Sequence, residues 1–357
     1  MKEKNRDIRL DFIRSVAIIS VISVHFLLNS GFYETPLEGK RMFLLTMART
    51  AFLPCVPLFI MLSGYLLRNK CISKKYYYGI WKTIGIYLIA SAFCLVFKIL
   101  YLKQEITIAE ALLSVIGFTA VPYAWYINMY IGLFLLIPFL NVLYNNLDSK
   151  RTKQVLIFTC IFIAIMPSFN VKYVIFPNWW VGIYPITYYF MGAYLSEYKV
   201  TIKKNINILL LVICIFGFSL INFYLGYKSN FIEQGYTTYA GFECIIVTIM
   251  IFLLGLNLSF NNIPKIIRTV IATLSKLSLG MYLSSWIIDV IVYGKLNNNV
   301  KDVYQRINYA PLVILCVIIG SAILSYCFNC ISSVLCKLVL PFKAPILNKW
   351  ETISHKL

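Results

Sequence analysis

The sequence is poor in charged residues, and poorest in acidic ones. Only 13% of its 357 residues are charged, with 14 Asp or Glu against 33 Lys or Arg. A soluble globular protein is about 25% charged and about 45–50% apolar, whereas 60% of this chain is hydrophobic. The composition therefore excludes an ordinary soluble protein and predicts an integral membrane protein.

Motifs for binding metals or nucleic acids are also missing. Of the ten cysteines, only Cys327 and Cys330 have CxxC spacing, and they lie in an apolar run without a second pair. We therefore expect no metal site, and we interpret the cysteines as free thiols. The net charge of +19 comes without a recognisable nucleic-acid-binding module, so we expect no nucleic-acid partner.

Continuous apolar runs of about 20 residues dominate the chain, which is typical of transmembrane helices rather than barrel strands. We predict an all-α integral membrane protein, a bundle of about ten transmembrane helices around a polar central cavity. The predicted spans are residues 10–29, 42–67, 79–101, 122–144, 154–170, 179–196, 206–225, 238–258, 270–293 and 310–340. Residues 106–118 form an apolar stretch that Glu110 interrupts, and this pattern predicts an interfacial or re-entrant segment.

Basic residues show how the chain is oriented. Lysine and arginine are concentrated in the N-terminal segment and in alternate loops, and the positive-inside rule then places both termini in the cytoplasm. We predict one transmembrane domain over residues 1–340. Residues 341–357 are predicted to form a cytoplasmic tail, which could link to a soluble domain that is missing here.

The first predicted span carries ionisable residues. Arg14 and His25 are eleven residues apart, which on a helix is three turns plus about 20° and about 16 Å along the axis. They share a face with Asp11, whose i,i+3 spacing allows it to pair with Arg14. Such a stripe at membrane depth indicates a functional site. The alternative is that Asp11 and Arg14 lie at the cytoplasmic boundary and extend toward water.

Other spans bring polar residues to a similar depth. Arg49 and Glu243 are predicted to lie near the level of His25. Asp289 is predicted closer to the outer end of its span, and we assign it a structural role. An Arg, a His and a carboxylate that converge from different helices predict a catalytic site.

Five motifs, in order along the chain, carry a family resemblance. They are R-x10-H from Arg14 to His25, "VPLFIMLSGYLL" (56–67), "AWYINMYIGLFLLIP" (124–138), "YYFMGAYLS" (188–196) and "LSKLSLGMYLSSW" (274–286). With about ten spans, the chain resembles the membrane acyltransferase-3 superfamily over essentially its whole length. It departs from the pattern at Ser285, where many members have a second histidine, so a mechanism that requires that histidine is not expected here.

The resemblance implies a bacterial, multi-pass protein of the cell membrane. Members move an acyl group, usually acetyl from cytoplasmic acetyl-CoA, to a hydroxyl of an extracytoplasmic acceptor. The expected partners are therefore the lipid bilayer, acetyl-CoA as co-substrate, and a cell-surface glycan, peptidoglycan or lipid-linked sugar. No permanently bound cofactor is expected.

Within this interpretation, His25 is the general base and Glu243 orients it. Arg49, or the cluster of Trp125, Tyr126 and Asn128, stabilises the oxyanion or holds the sugar. The predicted acyl-CoA-binding residues are Arg14, Asp11, Ser63, Tyr65, Arg68, Lys74 and Lys75. The predicted acceptor-binding residues are Trp125, Tyr126, Asn128, Tyr282 and Ser285.

Several of these motifs also have purely structural interpretations. "WYINMY" is also typical of an aromatic belt, "KKYYY" (74–78) of a cytoplasmic loop, and "SGY" of a close helix contact. The whole chain could instead be a transporter for a small polar substrate such as L-serine, as the membrane half of a membrane-bound serine racemase of glycopeptide resistance. A structural or sensor protein is the third alternative, although it would not require the buried R-x10-H stripe.

Overall fold

A computed structural model describes the backbone of residues 6–170, 173–231 and 233–354, and the side chains of these residues as far as 335. The fold is built of helices. They are α1 (Ile8–Asn29), α2 (Gly39–Phe52), α3 (Cys55–Leu67), α4 (Lys74–Tyr78), α5 (Ile80–Leu100), α6 (Ile108–Ile116), α7 (Trp125–Asn145), α8 (Lys150–Ile165), α9 (Tyr184–Glu197), α10 (Lys204–Leu225), α11 (Phe242–Asn257), α12 (Lys265–Asn299), α13 (Val303–Arg306) and α14 (Ala310–Ser354). Short 3₁₀ helices cover Met166–Phe169, Asn178–Ile183, Gly235–Thr237 and Ile307–Tyr309.

Nine helical segments of the described chain are long and apolar enough to cross a membrane. They are Ile8–Asn29, Gly39–Leu67, Lys74–Leu100, Trp125–Asn145, Lys150–Phe169, Lys204–Leu225, Gly235–Asn257, Lys265–Asn299 and Val303–Leu335. The predicted fold class, an all-α integral membrane bundle, is confirmed. The predicted span at 179–196 is not among the nine, because its α-helix, α9, has only 14 residues.

Local sequence explains where several helices begin and end. The side chain of Asp7 accepts a hydrogen bond from the main-chain N–H of Arg9 and caps α1, and Thr107 and Glu110 form a capping box at α6. Pro54 separates α2 from α3, because proline has no main-chain N–H to donate within a helix. The segment predicted to be interfacial or re-entrant contains α6, which has nine residues and none of them buried.

Helix α1 lies inside the bundle. It packs against α12 and α3 most extensively, and also against α2, α11 and α14. Asp11, Ser15, Ser20 and Ser23 of α1 are all buried. Because neighbouring helices surround α1, its polar residues face protein and cavities rather than lipid.

Two close helix crossings fix the arrangement around α1. Gly64 of α3 lies against the main-chain oxygen of Tyr189, and Gly192 of α9 lies against that of Met61. Gly280 of α12 lies against the side chain of Ser325 on α14. Only glycine allows backbones to approach this closely, which is the usual role of small residues between membrane helices.

Helix α14 continues without a break through position 340, the predicted end of the transmembrane domain. The predicted tail, 341–357, falls outside the residues whose side chains are described, and 355–357 fall outside the described residues altogether. The division into a domain of residues 1–340 and a cytoplasmic tail stays a prediction, as does the cytoplasmic location of both termini.

Candidate functional site

Two cavities lie in the bundle next to α1. We call the end of the bundle where α1 begins the inner end, and the end where α1 finishes the outer end. The inner cavity has a volume of about 470 Å³ and is lined by Arg14 among others. The outer cavity has a volume of about 490 Å³ and is lined by His25. The two residues of the R-x10-H motif therefore lie on one face of α1 and line two different cavities.

Arg14 is held at the inner cavity through Ser275 of α12. A guanidinium N–H of Arg14 donates to Oγ of Ser275 over 3.3 Å, and that hydroxyl donates to Oδ1 of Asp11 over 2.7 Å. Asp11 itself accepts from the guanidinium of Arg6. The predicted Asp11–Arg14 pair is thus replaced by an Asp11–Arg6 pair, and within the described residues no carboxylate forms an ion pair with Arg14.

Two lysines share the inner cavity with Arg14. Lys82 of α5 and Lys276 of α12 both line it, and both are exposed. Three cations from three helices therefore surround one cavity. The positive charge of the inner cavity therefore comes from basic residues in the N-terminal halves of these helices, and not from the loop that precedes α5.

The cations predicted for the donor site lie elsewhere. Arg68 forms an ion pair of 2.9 Å with Glu197, which also accepts from Lys153 over 2.8 Å. Lys74 and Lys75 are exposed on the short helix α4 and line neither cavity. Arg68 therefore joins α3 to α9 through its ion pair with Glu197. Lys74 and Lys75 lie at the surface.

The "SGY" segment serves both packing and the inner cavity. Ser63 lines the inner cavity, and its hydroxyl donates to the main-chain oxygen of Phe59 over 3.0 Å. Gly64 forms the close contact with α9. Tyr65 lines neither cavity and packs against Phe252, with ring centroids 6.0 Å apart. Of this motif, only Ser63 is in a position to contact a ligand in the inner cavity.

His25 at the outer cavity faces a carboxylate from α12. Its Nδ1 lies 3.4 Å from Oδ2 of Asp289, which is buried. The hydroxyl of Tyr123 donates to the same oxygen over 3.0 Å, and the ring of Tyr123 lies 3.8 Å from that of His25 between centroids. Asn29 in turn donates to the Tyr123 hydroxyl over 3.3 Å. A carboxylate and an aromatic ring therefore flank the imidazole.

Glu243 does not occupy the position predicted for it. It is buried at the start of α11, where both of its carboxylate oxygens accept from the side-chain amide of Asn222 at 3.3 and 3.0 Å. No contact joins Glu243 to His25 in the described part of the chain. The carboxylate next to His25 is therefore Asp289, which the sequence analysis had treated as structural, and not Glu243 as predicted.

Arg49 builds the wall of the outer cavity rather than facing into it. It is fully buried, and its guanidinium donates to the hydroxyl of Tyr33 over 3.0 Å and to Glu233 over 2.7 Å. It also donates to the main-chain oxygen of Thr237. Tyr33 and Glu233 line the cavity, whereas Arg49 does not. Since its N–H groups are engaged in this way, Arg49 positions two cavity residues and is poorly placed to stabilise an oxyanion.

The aromatic motif that begins α7 is divided between the two cavities. Trp125 lines the outer cavity, is 42% exposed, and stacks on Tyr239 with centroids 5.7 Å apart. Tyr126 lines the inner cavity. Asn128 is exposed and lines neither cavity. Trp125 thus lies where an outer ligand could contact it, and Asn128 does not.

The "YLSS" segment of α12 contributes one residue to the cavities. Tyr282 lines both of them, and its hydroxyl donates to the main-chain oxygen of Tyr123. Ser285 lines neither, and its hydroxyl donates back to the main-chain oxygen of Tyr282 over 3.0 Å. The residue that replaces the second histidine of the family pattern therefore bonds within its own helix.

Several residues at or next to these cavities were not assigned to the site from the sequence. Lys82 and Lys276 lie near the start of the spans predicted at 79–101 and 270–293, which is also where ordinary boundary lysines occur. Asp289 had a usable signal, because a carboxylate within a predicted span already indicates function. Tyr123 carried no such signal, since it precedes α7 among other interfacial aromatics.

Comparison with known proteins identifies the chain. The model of a family described as an acyltransferase domain matches residues 7–330, a range that contains every residue lining the two cavities. No curated protein and no solved structure matches the chain significantly. The match extends over most of the chain and agrees with the resemblance carried by the five sequence motifs. The chain belongs to the membrane acyltransferase-3 superfamily and is a multi-pass membrane acyltransferase.

Proposed function

We propose that this protein transfers an acetyl group from acetyl-CoA, bound in the inner cavity, to a hydroxyl of an acceptor bound in the outer cavity. The observation that supports the proposal is the pair of cavities on one face of α1, one next to Arg14 and the other next to His25. With the predicted orientation, the inner cavity opens toward the cytoplasm and the outer cavity toward the extracytoplasmic side.

The inner cavity suits the donor because it is basic. The nucleotide end of CoA carries several phosphate charges, and Arg14, Lys82 and Lys276 are the cations that surround the cavity. Arg14 has a planar fork that can bind two phosphate oxygens, and its bond to Ser275 fixes one side of that fork. The less polar pantetheine arm would then extend along α1 toward His25, over about 16 Å of helical rise.

His25 is the proposed general base. Asp289 faces Nδ1, so Nε2 is the nitrogen left for the acceptor. As the acceptor oxygen attacks the thioester carbon, its proton passes to Nε2. The C–S bond then breaks, and the imidazolium returns the proton to the CoA sulfur. The 3.4 Å between Nδ1 and Asp289 exceeds a normal hydrogen bond, and such catalytic contacts often shorten when substrate binds.

The outer cavity has the features of a site for a sugar. Trp125 and Tyr239 present stacked aromatic faces, and Glu233 supplies an acceptor for hydroxyl donors. A pyranose ring offers both an apolar face and several hydroxyls, and binding sites commonly combine aromatic walls with a few fixed polar groups. We therefore propose a cell-surface glycan, peptidoglycan or lipid-linked sugar as the acceptor, with an acetyl ester as the product.

The test uses inside-out membrane vesicles from bacteria that express the protein, supplied with acetyl-CoA labelled in the acetyl group. We expect base-labile label in the envelope glycan or lipid fraction, and its loss in His25→Ala. Thr46→Ala is the control, because Thr46 is fully buried, lines neither cavity, and its hydroxyl bonds only within α2. Transfer retained by a folded His25→Ala variant would contradict the proposed base.

The same vesicles separate transfer from transport. Labelled L-serine that accumulates in the vesicles without ester formation would favour the transporter interpretation. Esters that form without serine accumulation would favour the acyltransferase mechanism proposed here. Arg14→Ala should mainly raise the KM for acetyl-CoA, and an unchanged KM would contradict the donor site.

A further inference from the structure

Tyr282 lies between the two cavities. It is the only residue of the described chain that lines both of them. Around it, the inner cavity is bounded by Tyr126 and Ile127, and the outer cavity by Cys55 and Tyr123. An acyl group that leaves the inner cavity for the outer one must therefore pass the ring of Tyr282.

The ring of Tyr282 is held firmly. It is 5% exposed, its hydroxyl donates to the main-chain oxygen of Tyr123, and its ring meets that of Tyr126 edge-on at 5.6 Å between centroids. A side chain fixed at both its ring and its hydroxyl does not change rotamer without breaking these contacts.

The backbone that carries Tyr282 is fixed as well. Two residues earlier, Gly280 lies so close to Ser325 of α14 that an added Cβ would be 2.3 Å from its hydroxyl oxygen. Ser325 also donates to the main-chain oxygen of Leu277 over 2.7 Å. This stretch of α12 therefore cannot shift toward α14 to widen the passage.

We propose that Tyr282 determines which acyl group the enzyme transfers, by limiting the space for the acyl chain where the two cavities meet. This inference rests on the proposed acyl-CoA donor. Tyr282 lines the same outer cavity as His25, so its ring bounds the space left for the acyl chain when the carbonyl carbon is at His25. Acetyl places only a methyl group in that space, whereas each further methylene must fit against the ring. One methylene in a close-fitting apolar site is commonly worth about 10- to 200-fold in specificity.

The experiment compares acetyl-, propionyl- and butyryl-CoA in the vesicle assay. Wild type should prefer acetyl over butyryl by at least about tenfold in kcat/KM. Tyr282→Leu should reduce this preference at least about fivefold, while Tyr282→Phe, which keeps the ring, should retain it. Phe190→Leu is the control for loss of a buried ring, because Phe190 is 1% exposed and lines neither cavity.

A second variant makes the side chain at position 282 larger instead of smaller. Tyr282→Trp should lower kcat for acetyl transfer at least about tenfold, because the larger ring fills space that the acyl group needs. Since Tyr282 also lines the inner cavity, CoA affinity is measured alongside. This variant decides the matter if Tyr282→Leu does not fold. Binding of CoA alone to the purified protein supplies the affinity.

The outcomes separate this inference from the proposed function. If wild type forms esters from none of the three acyl-CoAs, the acyl-CoA donor itself is wrong and the inference falls with it. If wild type transfers acetyl but a folded Tyr282→Leu keeps the wild-type preference, only the role of Tyr282 is wrong. Unimpaired acetyl transfer by a folded Tyr282→Trp variant would also overturn it.

Discussion

The contact between α3 and α9 should be among the points most sensitive to mutation. A Cβ added at Gly64 would lie 2.0 Å from the main-chain oxygen of Tyr189 and 2.9 Å from its carbonyl carbon. To reach even about 3 Å, the two helices must separate locally by about 1 Å. Overpacking typically costs about 1–3 kcal/mol. Here the added Cβ would meet main-chain atoms, which cannot move away by changing rotamer. We expect Gly64→Ala to destabilise the protein by about 3 kcal/mol.

Gly192 provides an internal test of that reasoning. Its Cβ would lie 2.0 Å from the main-chain oxygen of Met61, so Gly192→Ala strains the same helix pair from the other side. Once one substitution has separated α3 from α9, the second meets less resistance. The double variant should therefore lose less stability than the sum of the single variants, by about 0.5–3 kcal/mol.

These changes in stability are measured by unfolding the protein in detergent micelles, once by heating and once by titration with SDS. Gly132→Ala and Gly217→Ala are the matched controls, since both glycines lie in helices and a Cβ there meets nothing within 4 Å. Alanine favours a helix over glycine by about 1 kcal/mol, so the controls should be neutral or stabilising. Equal effects at Gly64 and Gly132 would refute the argument from close helix contact.

Further predictions concern the outer cavity. Asp289→Asn should lower kcat for acetyl transfer at least about tenfold with little change in the KM for acetyl-CoA, because it weakens the support of a general base that typically contributes about 10²–10⁴-fold. Glu243→Gln should leave kcat within about threefold, and the opposite ranking in the vesicle assay would restore Glu243 as the orienting residue. Arg49→Met should lower Tm markedly, because it leaves the main-chain oxygen of Thr237 without its buried donor. Glu233→Gln should lower Tm little, since Glu233 is 56% exposed and such pairs contribute about 0–1 kcal/mol. A Glu233 variant that melts as early as Arg49→Met would contradict the assignment.

The sequence was informative about α1 because helical geometry is local. The spacing of Arg14 and His25 places them on one face at different depths, and the structure finds them at two cavities on that face. The break at Pro54 was also predictable, because proline removes a backbone donor wherever it stands in a helix.

The partners of these residues were not predictable in the same way. Glu243 and Asp289 are both carboxylates within spans, and only the packing of α12 against α1 decides that Asp289 reaches His25. In the same manner Arg68 could have faced a cavity, but the nearness of α9 gives it Glu197 as a partner. Depth along a helix can be counted from sequence, whereas the rotation of one helix against another cannot.

By itself, then, the sequence determined the class of protein, most of its spans and the two motif residues at its centre, because apolar run length and helical period are properties of short segments. Only the tertiary structure decided that Lys82 and Lys276 join Arg14, that Arg49 supports a wall, and that Tyr282 divides two cavities. These facts depend on contacts between helices that are distant in the chain. Those contacts are set by how the helices pack against one another, as at Gly64 and Gly192 between α3 and α9, which no single segment reveals.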